Sequence, residues 1–160
     1  MPELEGGCHC GNLRLIAHLT RQPGDYAPRA CDCDFCLKHG AAYLSDPQGW
    51  VSIRVAAEAD CSRYRQGSGS AEFLVCRRCG VLVAVLHGHG QGTSRQTDDD
   101  IGNGLHATLN VRALRVPTAF APEQTVSPKR LAAADKVRRW QEVWFADVRL
   151  EGLSDGEGDH

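Results

Sequence analysis

Cys76-Arg77-Arg78-Cys79-Gly80 is a C-x-x-C knuckle, and it carries the strongest architectural signal in the sequence. Two residues between the cysteines let both sulfurs converge on one metal ion, and the glycine after them permits the turn that this requires. A structural zinc needs four ligands, whereas the knuckle supplies two. The other two ligands must therefore come from a distant part of the sequence.

Two groups of cysteines are available to complete this set: Cys8 with Cys10, and the cluster Cys31, Cys33 and Cys36. Taking two cysteines from the cluster would leave its third without a role. The economical solution is a closed set that joins the first predicted strand to a distant one. Its members are Cys8, Cys10, Cys76 and Cys79.

The remaining pattern, Cys31-x-Cys33-x-x-Cys36, offers three ligands and leaves a fourth position vacant. Three protein ligands with an open position are typical of a catalytic zinc, and thiolates favour zinc over magnesium or calcium. With three thiolates the site has a formal charge of about −1, which favours holding an incoming thiol as thiolate over making hydroxide. Chemistry on a thiol substrate is the first expectation.

Other interpretations of the three-cysteine cluster stay open. His9, His39 or Cys61 would close the vacancy and make a second structural zinc, and the three cysteines alone would also suit a redox switch. Cys61 otherwise has the character of a small buried hydrophobic residue.

Composition narrows the class of protein. The chain has 160 residues, of which 24% are charged, and a formal net charge of −2, so nothing favours a nucleic-acid partner. No apolar run approaches the roughly 20 residues that span a bilayer. The acidic segment 1–5 is unlike a secretory signal, so we expect a cytoplasmic protein. In a reducing compartment, clustered cysteines more often bind metal than form disulfides.

Hydrophobic patterning predicts a mainly β fold with one late helix. Alternation predicts strands over 12–19, 50–55 and 105–114, two more at 62–66 and 71–76, and a fully buried strand over 81–86. A short helix is expected over 34–40 and an exposed loop over 87–104. Ser127-Pro128 predicts the start of a C-terminal helix whose Trp140 and Trp144 pack on a sheet.

Four segments together resemble the glutathione-dependent formaldehyde-activating enzyme family, also called the CENP-V/GFA domain. They span residues 6 to about 116 and read Gly7-Cys8-His9-Cys10-Gly11, Cys31-Asp32-Cys33-Asp34-Phe35-Cys36-Leu37-Lys38-His39-Gly40, Phe73-Leu74-Val75-Cys76-Arg77-Arg78-Cys79-Gly80 and Asn110-Val111-Arg112-Ala113-Leu114. The resemblance implies Mss4-like stacked antiparallel sheets stapled by zinc. We expect a zinc-binding β domain over 1–125, a packed C-terminal helix over 126–150 and a disordered tail over 151–160.

The resemblance also implies two zinc ions per chain. Cys8, Cys10, Cys76 and Cys79 would hold a structural zinc, and Cys31, Cys33 and Cys36 a catalytic one. The implied activity is that of a carbon–sulfur lyase, which condenses formaldehyde with glutathione to S-hydroxymethylglutathione. The expected partners are a small thiol and an aldehyde, with no nucleic acid and no membrane, and the oligomeric state is left open.

One departure from the family concerns charge. Serine is common in the family where Asp34 stands, and Asp32 with Asp34 would repel an anionic thiol unless Lys38, Arg29 or Arg112 compensates. Candidate proton donors, by sequence proximity, are His9, His39 and Asp34. The alternative function is a non-catalytic Mss4-like zinc module that binds a protein partner through a sheet face.

Overall fold

The computed structural model describes residues 2–67, 69–88, 104–115 and 119–154, which form two β-sheets and two α-helices. In chain order the elements are β1 Glu3–Gly7, β2 Leu13–His18, β3 Arg29–Cys31, α1 Asp34–His39, β4 Ala42–Leu44, β5 Trp50–Val55, β6 Cys61–Tyr64, β7 Glu72–Cys76, β8 Leu82–Gly88, β9 Leu105–Asn110, β10 Gln124–Val126, α2 Ala133–Val143 and β11 Asp147–Glu151. One sheet has the order β1-β2-β5-β11, and the other has the order β10-β3-β4-β9-β8-β7-β6.

The four-stranded sheet is built as its alternating sequence predicts. Along β2 the residues Leu13, Leu15 and Ala17 are buried while their neighbours are exposed or half-buried, and β5 buries Val51, Ile53 and Val55 in the same way. These side chains pack against Leu74, Val83 and Leu109 of the seven-stranded sheet. The two sheets are therefore stacked around one apolar core, and the predicted mainly β fold is confirmed.

The seven-stranded sheet is covered on both faces at its centre. Val83 and Leu86 of β8 join the core between the sheets, whereas Leu82 and Val85 belong to a second cluster with Trp144 on the opposite face. This explains why the sequence of β8 is continuously apolar rather than alternating. The second cluster also contains Cys36, so the three-cysteine segment lies over this face.

The C-terminal segment differs from the single helix predicted over 126–150. Ser127 does not cap a helix, because its Oγ donates to Asp32 Oδ2 at 2.5 Å and the next residues form a 3₁₀ turn, Pro128–Arg130. The helix α2 begins only at Ala133, and after it the chain enters β11. Trp144 is buried, and Trp140 packs partly buried beside it on the second cluster.

Two strand pairings near this end are parallel, β10 with β3 and β11 with β5, whereas the remaining named pairings are antiparallel. Residues 151–154 are also ordered, contrary to the predicted tail, because Leu153 is buried and the Ser154 amide donates to Glu58. Residues 155–160 lie outside the described part, as do 89–103 of the predicted loop. Neither helix of the described part is long and apolar enough to cross a membrane.

Candidate metal centres and the adjoining pocket

The structure brings together the four cysteines that the sequence predicts as a closed set. Their sulfurs all lie within 4.8 Å of one another, an arrangement able to hold one metal ion. The Sγ atoms of Cys8 and Cys10 are 3.8 Å apart, and those of Cys10 and Cys76 are 3.5 Å apart. Four convergent thiols are the donor set of a structural zinc, so the residues present fit that ion.

Tight backbone turns next to the cysteines bring these sulfurs together. A Cβ at Gly7 would collide with the carbonyl oxygen of Leu13, so only glycine allows the hairpin to close before Cys8. The Leu13 amide then lies 3.2 Å from Cys8 Sγ, and Gly80, at φ 78°, donates its amide to Cys76 O. Burial of Cys79 opposes ionisation of its thiol. Backbone amides, including that of Cys10, donate hydrogen bonds to the Cys79 sulfur and lower its pKa to about 6. Such amides favour the thiolate that a metal requires.

The second set consists of Cys31, Cys33 and Cys36, whose sulfurs also lie within 4.8 Å of one another. Cys31 ends β3, and Cys33 is the N-cap of α1, its Sγ accepting from the Cys36 amide at 3.4 Å. The helical turn places residues three apart on one side, which turns both thiols toward Cys31. Gly40, at φ 61°, ends the helix as predicted.

Among the described residues, none of the suggested fourth ligands joins this set. His9 is exposed beside the four-cysteine set, and His39 contacts the ring of Phe35 at 4.7 Å between centroids. Cys61 is buried, as predicted, but it stands opposite Cys76 in the β6–β7 pair. Three sulfurs therefore remain as the donor set, which fits a zinc with an open position.

Tyr43 is a site residue that the sequence did not reveal. Its hydroxyl lies 3.0 Å from Cys36 Sγ, and its side chain is buried. Burial, followed by the neighbouring Cys36, raises the pKa of Tyr43, so the phenol keeps its proton and can donate a hydrogen bond to a Cys36 thiolate. Hydrogen bonds, first from Cys36, lower the pKa of Cys31 to about 6. The available signal was a tyrosine in a short strand immediately after the cysteine cluster.

A pocket of about 500 Å³ opens beside the three cysteines. Its walls combine apolar side chains with cations and include no carboxylate from the described residues. The apolar part comprises Phe73, Ala71, Val85, Val126, Leu131, Trp140 and Trp144, and the cations are Arg29, Lys129, Lys136 and Arg139. Burial, and then the positive charge of Arg139, lower the pKa of Arg29.

The two aspartates expected to repel an anionic thiol are not among the residues that line the pocket. Asp34 is exposed, and Asp32 is held by Ser127, so neither carboxylate lines the cavity. Of the three proposed compensating cations, Arg29 alone lines it, because Lys38 is exposed and Arg112 pairs with Glu123 at 2.8 Å. The pocket therefore favours an anionic ligand more strongly than the sequence suggests.

Replacing Tyr43 with phenylalanine should lower the affinity of the three-cysteine set for zinc without unfolding the chain. The change removes the hydrogen bond to Cys36 Sγ, and such supporting contacts are typically worth about 10–100-fold in metal affinity. Competition with a chromogenic chelator measures this loss. Tyr64→Phe is the matched control, because Tyr64 is 47% exposed. The chelator should remove zinc from this variant as readily as from the wild type. Equal chelator resistance in both variants would contradict the role given to Tyr43.

Comparison with known proteins supports the fold and leaves the activity open. No family model matches the chain. A structural-genomics crystal structure of a Rhodobacter sphaeroides protein is similar, with 22% identity and a TM-score of 0.50. The match covers 76% of this chain and 100% of that one. At this identity the similarity shows a shared fold alone.

Proposed function

We propose that this chain is a zinc-dependent carbon–sulfur lyase, similar to the glutathione-dependent formaldehyde-activating enzymes, that joins a thiol such as glutathione to a small aldehyde. The observation that carries the proposal is the set of three convergent cysteines, without a fourth described ligand, on the wall of an open pocket. A structural zinc with four protein ligands needs no access for an external ligand, whereas this set lies on a cavity of about 500 Å³. The cytoplasm, where cysteines stay reduced, is the compartment that we propose for it.

The pocket residues have distinct tasks in this reaction. A zinc ion held by Cys31, Cys33 and Cys36 would supply the positive charge that keeps a substrate thiol ionised. Arg29 and the lysines of the pocket attract the carboxylates of an anionic thiol, and the apolar walls exclude water from the reacting sulfur. The new bond joins that sulfur to the carbonyl carbon, while the carbonyl oxygen gains a proton.

None of the proton donors suggested by the sequence lines the pocket. His9 and Asp34 are exposed, and His39 is absent from the described walls. Tyr43 does line the pocket and holds a proton at its Oη atom beside the cysteines. In a zinc-bound site its one hydroxyl hydrogen would be donated to Cys36 Sγ, so we expect the carbonyl oxygen of a bound aldehyde to take its proton from water.

The test is the rate at which formaldehyde exchanges with its glutathione adduct, since the uncatalysed reaction is reversible. Exchange spectroscopy with ¹³C-labelled formaldehyde measures that rate at equilibrium. The zinc-loaded protein should accelerate it, and Cys33→Ala should not. Equal rates with wild type, with the variant and without protein would refute the lyase proposal.

A further inference from the structure

One wall of the pocket comes from the C-terminal segment, which lies outside the four motifs described above. Leu131, Lys136, Arg139, Trp140 and Trp144 all line the cavity from α2 and the residues beside it. This segment therefore faces whatever occupies the space beyond the reacting sulfur.

The cations of this wall have no carboxylate to neutralise them. No ion pair joins Arg29, Lys136 or Arg139 to an acidic side chain of the described residues, and Lys129 reaches only the carbonyl of Asp32 at 3.4 Å. The adjacent Arg138, by contrast, points elsewhere and pairs with Asp135 at 3.3 Å. Unpaired positive charge is thus concentrated on the pocket side, where an anion would be stabilised.

The same wall presents flat aromatic surface. Trp140 and Trp144 are stacked, with ring centroids 4.8 Å apart and planes 17° from parallel, and Trp140 is only partly buried. Phe73 and Val85 continue this apolar surface toward the cysteines. Such a surface suits an aromatic ring, which can pack against it.

Size leads to the same class of ligand. Formaldehyde would fill a small fraction of a pocket of about 500 Å³, and water would be left against the tryptophans. Cavities of about 300–1,000 Å³ usually hold molecules of drug-like size. A ligand that combines a ring with an anionic group matches the volume, the aromatic wall and the cations at once.

We infer that the wall formed by α2 and Arg29 is a binding subsite for an aromatic carboxylate. The larger substrate of the reaction, which rests on the proposed lyase function, is therefore an aldehyde or thiol that carries an aromatic body and a carboxylate. The carboxylate lies toward Arg29 and Arg139, and the ring lies against Trp140.

Isothermal titration of the zinc-loaded full chain with 2-naphthoate tests this subsite, and 2-naphthylmethanol serves as the uncharged probe of the same shape. Naphthoate should bind at least about tenfold more tightly, because hydrogen bonds to charged groups are worth about twice those between neutral groups. Equal affinity of the two probes, or binding of neither, would overturn the inference.

A pair of neighbouring arginines sharpens the test. Arg139→Gln should weaken naphthoate about tenfold and leave naphthylmethanol unchanged, whereas Arg138→Gln, on the same helix but paired with Asp135, should alter neither. Thermal melting of each variant verifies that it is folded. An equal effect of both substitutions would show a general charge effect and overturn the subsite.

The binding assay tests the subsite and the exchange assay tests the lyase proposal, so either proposal can be refuted without the other. Loss of the naphthoate preference with formaldehyde exchange still catalysed would overturn the subsite and leave the lyase proposal standing. Naphthoate bound through Arg139 without catalysis of any thiol–aldehyde exchange would retain the subsite and refute the lyase.

Discussion

Replacing Cys79 with alanine should leave a chain that is largely unfolded or insoluble, with the free energy of unfolding lowered by at least about 5 kcal/mol. The four-cysteine set fastens the β1–β2 hairpin of one sheet to the turn after β7 in the other. Its two pairs are far apart in sequence, because Cys10 and Cys76 are separated by 66 positions. Zinc binding contributes about 10–16 kcal/mol to small zinc domains, whereas whole domains are stable by only about 5–15 kcal/mol.

Urea denaturation in the presence of zinc, together with the soluble yield, measures the loss. Cys61→Ala is the matched control, because Cys61 is buried directly opposite Cys76 but belongs to neither metal set. That substitution removes one buried sulfur and should cost about 1 kcal/mol. If Cys79→Ala and Cys61→Ala melted at the same urea concentration, the four-cysteine set would not hold the sheets together.

Replacing Cys33 with alanine should give the opposite result, a folded protein that has lost one zinc and its activity. Cys31, Cys33 and Cys36 lie close together in sequence, so their metal closes only short loops and adds little to the stability of the fold. Losing the N-cap of α1 should cost about 1 kcal/mol. Removal of a ligand should reduce the rate of thiol–aldehyde exchange at least about 100-fold.

Zinc analysis by mass spectrometry, urea denaturation and the exchange assay together measure these effects. Wild type should contain two zinc ions per chain, and Cys33→Ala one. A Cys33→Ala protein that unfolded as readily as Cys79→Ala would show that both sets are structural. A variant that kept its full rate would show that the reaction takes place elsewhere in the protein.

The sequence alone predicted both cysteine sets and the strands β2, β5, β6, β7, β8 and β9, because these depend on local or countable features. Alternation along 13–17 and 51–55 reports which face is buried, and ligand counting leaves one economical way to divide seven cysteines between two ions. The division that keeps the cluster of Cys31, Cys33 and Cys36 intact assigns Cys8 and Cys10 to the knuckle, which gives sets of four and three sulfurs. No knowledge of the distance between Cys8 and Cys76 was needed.

The pocket was not predictable in the same way, because its residues meet only through tertiary packing. Arg29 and Arg139 come from strands and helices far apart in sequence, and no spacing relates them. Tyr43 lies close to the cysteines in sequence, yet only the course of β4 aims its hydroxyl at Cys36. Proximity in sequence instead suggested His9 and Asp34, which are exposed.

The structure of the C-terminal segment was also not predictable from local sequence. Ser127-Pro128 has the composition of a helix start, but the Ser127 hydroxyl donates to Asp32 on the neighbouring strand end and leaves no cap for a helix there. The strand β11 pairs in parallel with β5, which is far away in the sequence, so the local pattern does not predict this pairing. Tertiary contacts therefore overrode the local preference at both ends of this segment.

The most direct measurement is a crystal structure with anomalous diffraction data at the zinc edge, before and after soaking with glutathione. We predict two zinc peaks per chain, one surrounded by Cys8, Cys10, Cys76 and Cys79 and the other by Cys31, Cys33 and Cys36 with a ligand from outside the chain. After soaking, the sulfur of glutathione should occupy that fourth position. A fourth side chain of this protein on the second zinc, or no second peak at all, would contradict an open thiol-binding site.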